Sequence, residues 1–166
     1  TTLWGGWLGE EQLIAPTRIV ETNYGDFVCE CYINQTSAFL AQAGLDDGTP
    51  LLAVSNGGGI RAAMPRGIVT MRDLVTAFPY SNTLQVKRIT PQILKSMFEG
   101  SFATMNGQDT QTGMLLQEEI SGGFLQLAGF EVTCDPNAPV GQRVTDIYVY
   151  GLASSVDLDD DQTPLY

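Results

Sequence analysis

The sequence contains no histidine, and its only cysteines are Cys29, Cys31 and Cys134. Histidine is a usual ligand of protein-bound zinc and the usual base beside a catalytic serine or cysteine. An odd number of cysteines gives no disulfide framework. We therefore expect this chain to hold no metal and no cofactor, and we set aside a hydrolase built on a nucleophile and a histidine.

Basic residues are also scarce: 8 lysines and arginines stand against 19 aspartates and glutamates, and the formal net charge is −11 at pH 7. Such a balance disfavours attraction to DNA, RNA or an anionic membrane surface. A small anionic ligand is still compatible with it, because a few converging arginines act at short range while salt screens the distant charges. We expect a small-molecule partner and no nucleic acid polymer.

Long apolar runs are missing as well. No stretch approaches the roughly 20 apolar residues that a membrane-spanning helix needs, so we expect no membrane span. The chain has 166 residues, of which 43% are hydrophobic and 16% charged. These proportions are typical of a folded globular protein, and the length suits one core. We expect residues 1–166 to form a single domain.

Apolar spacing and capping residues predict three helices, over Asn23–Gly44, Thr70–Phe78 and Thr90–Phe102. Short or alternating apolar runs predict strands over Leu51–Val54, Thr83–Arg88, Phe124–Leu127, Phe130–Cys134 and Val144–Val149. A surface loop is expected over Ala103–Gln111, and Asn23 is the expected N-cap of the first helix. This order favours an α+β fold with helices layered on a mixed, largely antiparallel sheet.

The most unusual local feature is the loop Asn56-Gly57-Gly58-Gly59-Ile60-Arg61, directly after a predicted buried strand. Glycines allow backbone N–H groups to approach an anion or a base, and Arg61 adds a positive charge. The spacing matches neither the dinucleotide fingerprint nor the Walker loop. A tight turn followed by a surface arginine would explain the same residues, so both interpretations stay open.

Two further segments carry residues suited to ligand binding. Arg18 precedes the helix start at Asn23, and unpaired N–H groups at a helix N-terminus favour negative charge. Tyr80 and Asn82 lie on the turn after the second predicted helix, where a ring can stack on a base and an amide can bond its edge. Helix capping and core packing are the alternative explanations.

Together the three segments resemble, in order and spacing, the C-terminal domain of the 5′-nucleotidase family. That family has an arginine three positions before a Glu/Gln-x-Asn-x-Gly helix start, an Asn/Ser-Gly-Gly-Gly-Ile-Arg loop, and a Pro-Phe-Gly turn with a base-stacking ring. The matching residues are Arg18 with Glu21–Gly25, Asn56–Arg61, Pro79–Ser81, and the strand region Phe124–Phe130 with Cys134–Pro136. The resemblance covers most of the chain from about Ala15 onward.

The resemblance implies a division of labour within a longer enzyme that removes phosphate from nucleotides. An N-terminal metallophosphoesterase domain would hold two divalent metal ions, and this chain would grip the nucleotide. The arginines would bind phosphate or ribose, the tyrosine would stack on the base, and an asparagine would meet the base edge. The substrate-binding residues so implied are Arg18, Asn56, Gly57, Gly58, Gly59, Arg61, Tyr80 and Asn82. An extracytoplasmic location is implied by the resemblance as well.

Two departures from the family pattern bear on these expectations. Tyr80-Ser81 stands where the family commonly has Phe-Gly, and the chain ends at Tyr166, before the family's second stacking aromatic and its Gly-Gly-Asp-Gly segment. We therefore expect the 166 residues alone to bind nucleotides weakly or not at all and to be inert as a catalyst. The competing hypothesis is a non-catalytic binding or protein-interaction module with a structural glycine loop.

Overall fold

The computed structural model describes residues 16–108, 115–117 and 122–165. Residues 1–15 and the last residues of the predicted loop, 109–111, lie outside these described residues. The helices are α1 (Asn23–Ala43), α2 (Met71–Ala77) and α3 (Pro91–Ser101). The strands are β1 (Ala53–Asn56), β2 (Met105–Gln108), β3 (Leu115–Gln117), β4 (Leu125–Ala128), β5 (Phe130–Cys134) and β6 (Val144–Val149). Short 3₁₀ turns cover Pro16–Arg18 and Gly57–Gly59.

All three predicted helices are present, and each begins at a threonine cap. Thr70 and Asp73 form a reciprocal capping box at the start of α2, and Thr90 caps α3 with Pro91 in its first turn. The cap of α1 is a correction to the sequence prediction: Thr22, and not Asn23, accepts the hydrogen bond from Gly25 N at 3.0 Å. Asn23 is instead the first residue of the helix itself.

The strands form antiparallel pairs in the order β1–β4, β2–β3 and β5–β6. In the first pair Ala53 lies opposite Ala128, so a strand early in the chain is paired with one more than 70 residues later. The predicted loop over Ala103–Gln111 is wrong where β2 lies, because residues 105–108 pair with β3. The α+β prediction is confirmed, with helices and small antiparallel sheets in one architecture.

The segment Thr83–Arg88 is the third correction. No ladder forms along it, and the pairing at its end is a bridge between Ile89 and Leu165. Leu84 and Val86 are 48% and 45% exposed, so the alternating pattern does not lie on a sheet face. An alternating sequence specifies which face of a strand is apolar but not whether a neighbouring strand is available.

The described residues form three buried hydrophobic clusters, and the two larger ones hold the helices against the rest of the fold. The larger core joins α3 to β5 and β6 through Leu94, Phe98, Phe130 and Ile147, all buried to 1% exposure or less. A smaller core lies between α1, the residues after the glycine loop, and α2; its members are Tyr24, Val28, Ile60, Met64 and Ala77. This second core brings the start of α1, the glycine loop and the end of α2 together.

Candidate functional site

The glycine loop is packed tightly against backbone from two other parts of the chain. A Cβ atom on Gly57 would lie 1.6 Å from Thr17 O, and one on Gly58 would lie 2.6 Å from Gly122 Cα. No side chain fits at either position, because real Cβ atoms do not come within 3.0 Å of backbone. In sequence these glycines follow β1. In the structure they allow the loop backbone to pass close to the backbone of Thr17 and Gly122.

The N–H groups of this loop are partly engaged within the protein. Gly57 N donates to Phe124 O at 2.7 Å, and Gly58 N donates to Gly122 O at 3.0 Å. Thr17 Oγ1 donates to Gly57 O at 3.0 Å from the other side. These two N–H groups therefore hold the loop in place, and the part of Gly57 and Gly58 in ligand binding stays a prediction.

The guanidinium groups of Arg18 and Arg61 both lie beside the contact between the backbones of Gly58 and Gly122. Arg61 Nη1 lies 3.3 Å from Gly58 O, to which it donates. A Cβ atom on Gly122 would lie 3.7 Å from Arg18 Nη1 and 3.3 Å from Gly58 Cα. The two guanidinium groups, 43 positions apart in sequence, thus lie on the same small patch of backbone and are both partly exposed.

Asn56 belongs to the same patch. Its side chain is exposed, and Nδ2 lies 3.3 Å from Gly122 O, to which it donates. Its Oδ1 would lie 3.4 Å from a Cβ atom on Gly59, so the amide stands over the third glycine of the loop. An amide in this position presents a donor and an acceptor at the rim of the patch.

Tyr80 is tied to the patch through the end of α2. Arg61 N donates to Ala77 O at 2.8 Å, and Phe78 packs edge-on against Tyr24 with ring centroids 5.8 Å apart. Tyr80 follows Ala77 by three residues, so its Cα lies within about 11 Å of Ala77 Cα. The ring of Tyr80 is 56% exposed and can offer a face to a ligand. Asn82 is exposed two residues further on, and no described contact joins it to the patch.

Sequence reasoning missed Gln126, which is fully buried on β4. Its amide bonds the segment that carries Arg18, with Thr22 N 2.8 Å from Oε1 and Val20 O 2.8 Å from Nε2. The signal was a polar residue between two apolar ones in a strand that is otherwise hydrophobic. A buried glutamine with a full set of partners is expensive to misplace, because each unmet hydrogen bond in the interior costs stability.

A carboxyl pair lies at the entrance to α1. Burial, followed by the charge and hydrogen bond of Glu21, raises the pKa of Asp26 to about 7. Burial disfavours the charged form of the Asp26 carboxyl, and the nearby negative charge of Glu21 acts in the same direction. In the same region burial raises the pKa of the Cys29 thiol to about 12, which keeps this cysteine protonated and unreactive.

A separate groove of about 450 Å³ lies between α1, β1, residues 84–89 and α3. Tyr32, Leu52, Val86 and Met97 contribute to its apolar lining, and none of the residues predicted to bind substrate lines it.

Among the described residues there is no group of three or more histidine, cysteine, aspartate or glutamate side chains that could hold a metal ion. Within the same ranges no helix combines the length and apolarity that crossing a membrane requires.

The fold resembles that of a solved nucleotide hydrolase. The 5′-nucleotidase precursor from Thermus thermophilus superposes with a TM-score of 0.62 at 27% sequence identity, over 90% of this chain and 25% of that one. The chain is thereby placed in the class of α+β domains found in nucleotidases. It belongs to the family described as 5′-nucleotidase, C-terminal domain, whose model matches residues 9–163.

Curated relatives agree with this family. The trifunctional nucleotide phosphoesterase protein YfkN of Bacillus subtilis is 30% identical over 132 residues, which are 80% of this chain and 8% of that protein. The snake venom 5′-nucleotidase of Macrovipera lebetinus is 28% identical over 137 residues, 80% of this chain and 30% of that protein. The chain therefore spans less than a third of the length of these relatives.

Proposed function

We propose that this chain is the substrate-recognition domain of a 5′-nucleotidase-type phosphohydrolase that removes phosphate from nucleotides. Arg18 and Arg61 bind the phosphate or ribose, Tyr80 stacks on the base, and Asn56 or Asn82 bonds the base edge. The catalytic step belongs to an N-terminal metallophosphoesterase domain of the same polypeptide, which holds two divalent metal ions. The complete enzyme acts outside the cytoplasm on exogenous nucleotides.

The observation that carries the proposal is the meeting of Arg18 and Arg61 at the contact between Gly58 and Gly122. The chain carries a net charge of −11, and Arg18 and Arg61 bring two positive guanidinium groups to one patch of backbone. Guanidinium groups bind phosphate by charge-assisted and bidentate hydrogen bonds, which are among the strongest in proteins. An anion is the ligand that this patch would bind best.

Chemistry and family membership both support this division of labour. Two metal ions can activate a water and neutralise a leaving phosphate, whereas a recognition domain supplies orientation and closure. Arg18 and Arg61 fit the second role, because guanidinium groups present several N–H donors that orient a phosphate. The exposed ring of Tyr80 adds a stacking face that tolerates several bases.

The experiment is steady-state hydrolysis of AMP by the complete enzyme, comparing Arg18→Ala and Arg61→Ala with the unmodified protein. Each change should lower kcat/KM by roughly 10- to 100-fold, because a hydrogen bond to a charged group contributes about 1.5–3 kcal/mol. Arg88→Ala is the matched control: it removes the same charge from an exposed ion pair with Asp47 at 2.9 Å. Exposed pairs contribute little, so kcat/KM should not change. Unaltered kcat/KM in both site variants would remove the proposal's main support.

A second function is favoured by one observation, namely that Gly57 N and Gly58 N are already bonded within the protein. In a non-catalytic binding or interaction module the glycine loop would have a structural role only, which is to allow close packing against the backbone of Thr17 and Gly122. That function predicts that Arg61→Ala lowers thermal stability while nucleotide hydrolysis by the complete enzyme is untouched. The same two measurements therefore decide between the functions.

A further inference from the structure

The amide of Gln126 uses its whole hydrogen-bonding capacity on one short segment of the chain. Oε1 accepts from Thr22 N at 2.8 Å and from Thr22 Oγ1 at 3.0 Å. Nε2 donates to Thr17 O at 3.1 Å and to Val20 O at 2.8 Å. A glutamine amide offers two donors and two acceptor lone pairs, so nothing is left over for another partner.

The partners of Gln126 lie on both sides of Arg18 in sequence, one position before it and two and four positions after it. The backbone that carries Arg18 is thus held on each side by the same buried amide. Thr17 in turn donates to Gly57 O at 3.0 Å, which fixes this segment against the glycine loop. The loop then leads to Arg61 through Ile60.

We propose that Gln126 is the positioning residue of the phosphate site, holding Arg18 in register with the glycine loop and with Arg61. The inference rests on the function proposed above and adds a residue that does not itself touch the nucleotide. Gln126 acts through Arg18, because it is fully buried and its polar atoms are all bound to protein.

Only an uncharged amide meets the demands of this position. Glutamate has the same shape but no N–H groups, so Thr17 O and Val20 O would face a buried negative charge. Methionine fills nearly the same volume and makes none of the four bonds. Both changes therefore release the Arg18 segment, and methionine does so with the smallest change in packing and charge.

The test is the effect of Gln126→Met on KM and kcat for AMP in the complete enzyme, with the melting temperature measured in parallel. A positioning role predicts a KM roughly ten-fold higher, because one charged contact to the phosphate is weakened in each molecule. A purely structural role predicts a lower melting temperature and fewer active molecules, with KM unchanged in those that remain. An unchanged KM would therefore overturn the proposal.

Ser101→Ala is the matched control. Ser101 Oγ accepts from Leu125 N at 2.9 Å, one residue from Gln126 on β4, and makes no described contact with residues 17–22. Its removal should lower the melting temperature and leave KM as it was. If Gln126→Met does not accumulate as folded protein, Thr22→Val removes one of the four bonds, together with the capping bond from Gly25 N, and carries the same KM prediction.

A double-mutant comparison separates this inference from the proposed function. If Gln126 acts through Arg18, then Gln126→Met in an Arg18→Ala background should raise KM no further. Equal and independent effects of the two changes would overturn the positioning role. If Arg18→Ala alone leaves KM unaltered, the phosphate site itself is wrong. If Arg18→Ala raises KM and Gln126→Met does not, only the role of Gln126 is lost.

Discussion

Gly25 leaves the space that the Gln126 side chain occupies: a Cβ atom on Gly25 would lie 1.9 Å from Gln126 Oε1 and 2.5 Å from its Cγ. The first turn of α1 therefore lies directly against the buried amide of β4. A glycine inside a helix usually lowers stability slightly. Here the missing side chain of Gly25 allows α1 to pack directly against β4. The glycine two positions after Asn23 at the helix start has its physical reason in this contact.

The first prediction compares two helical glycines. Gly25→Ala should destabilise the domain by roughly 1–3 kcal/mol, since a methyl group has no room beside a fully packed amide. Gly100→Ala, in α3, should stabilise it by about 0.5–1 kcal/mol, because nothing lies within 4 Å of the added methyl and alanine favours helix. Urea unfolding measures both. Stabilisation by both changes would contradict the contact between Gly25 and Gln126.

The second prediction separates a structural glycine from one that faces outward. Gly58→Ala should lower the melting temperature strongly, because its methyl would meet Gly122 Cα at 2.6 Å. Gly59→Ala should be tolerated, since its nearest neighbour is the Asn56 amide at 3.4 Å. If Gly59→Ala then raises KM for AMP at unchanged stability, the third glycine is the one that a ligand approaches. Equal losses of stability would contradict the distinction.

The third prediction concerns the ring of Tyr80. Tyr80→Ala should raise KM for AMP roughly ten-fold, because stacking of a base on an aromatic ring contributes about 1–3 kcal/mol. Tyr80→Phe should stay close to the unmodified enzyme, since it keeps the face of the ring. Phe39→Ala removes another exposed aromatic, one that lies 16 residues into α1 and about 24 Å from its start. Steady-state kinetics should show no effect of that control.

The fourth prediction concerns pH. The pKa of Asp26 is raised from 3.8 to about 7, chiefly by burial and then by Glu21, so the folded protein binds this proton more tightly than the unfolded chain does. The contribution of Asp26 to the free energy of unfolding is therefore fully present below pH 4 and is lost as the pH rises to about 7. The free energy of unfolding of Asp26→Asn should lack this dependence on pH.

The measurement is the stability difference between the unmodified protein and Asp26→Asn from pH 4 to pH 7. The difference should move steadily in favour of the variant as the pH rises. Taking the difference removes the effect of carboxylates distant from Asp26, which are present in both proteins. A difference that does not change with pH would show that Asp26 has an ordinary pKa in the folded state.

Local sequence signals predicted the helices well and the strand partners poorly. The threonines at 70 and 90, the proline at 91 and the glycine at 44 define helix ends through bonds made within a few residues. The pairing of β1 with β4 depends on residues far apart in sequence, which no local pattern encodes. Residues 83–88, which form no strand, show the same limit, since a strand requires a neighbour.

The candidate site divides in the same way. Residue type makes Arg18, Arg61 and Tyr80 candidates for binding, and the resemblance to the nucleotidase family is what joins them with Asn56 in one predicted site. Gln126 was not named, since its importance lies in partners more than 100 residues away. Residue types suited to ligand binding can be recognised in a sequence, whereas a side chain whose partners are distant in sequence gives no such signal.

Every side chain predicted to touch the nucleotide precedes residue 83, whereas the groups that hold them, in Gly122, Phe124 and Gln126, come from the later part of the chain. The contacts that order the site thus join distant stretches of polypeptide. Contacts between residues so far apart in sequence form slowly, because the intervening chain loses conformational entropy before the contacts stabilise the fold. During synthesis the residues predicted to bind substrate therefore leave the ribosome well before the strand that contacts them, and the candidate site should be completed late in folding.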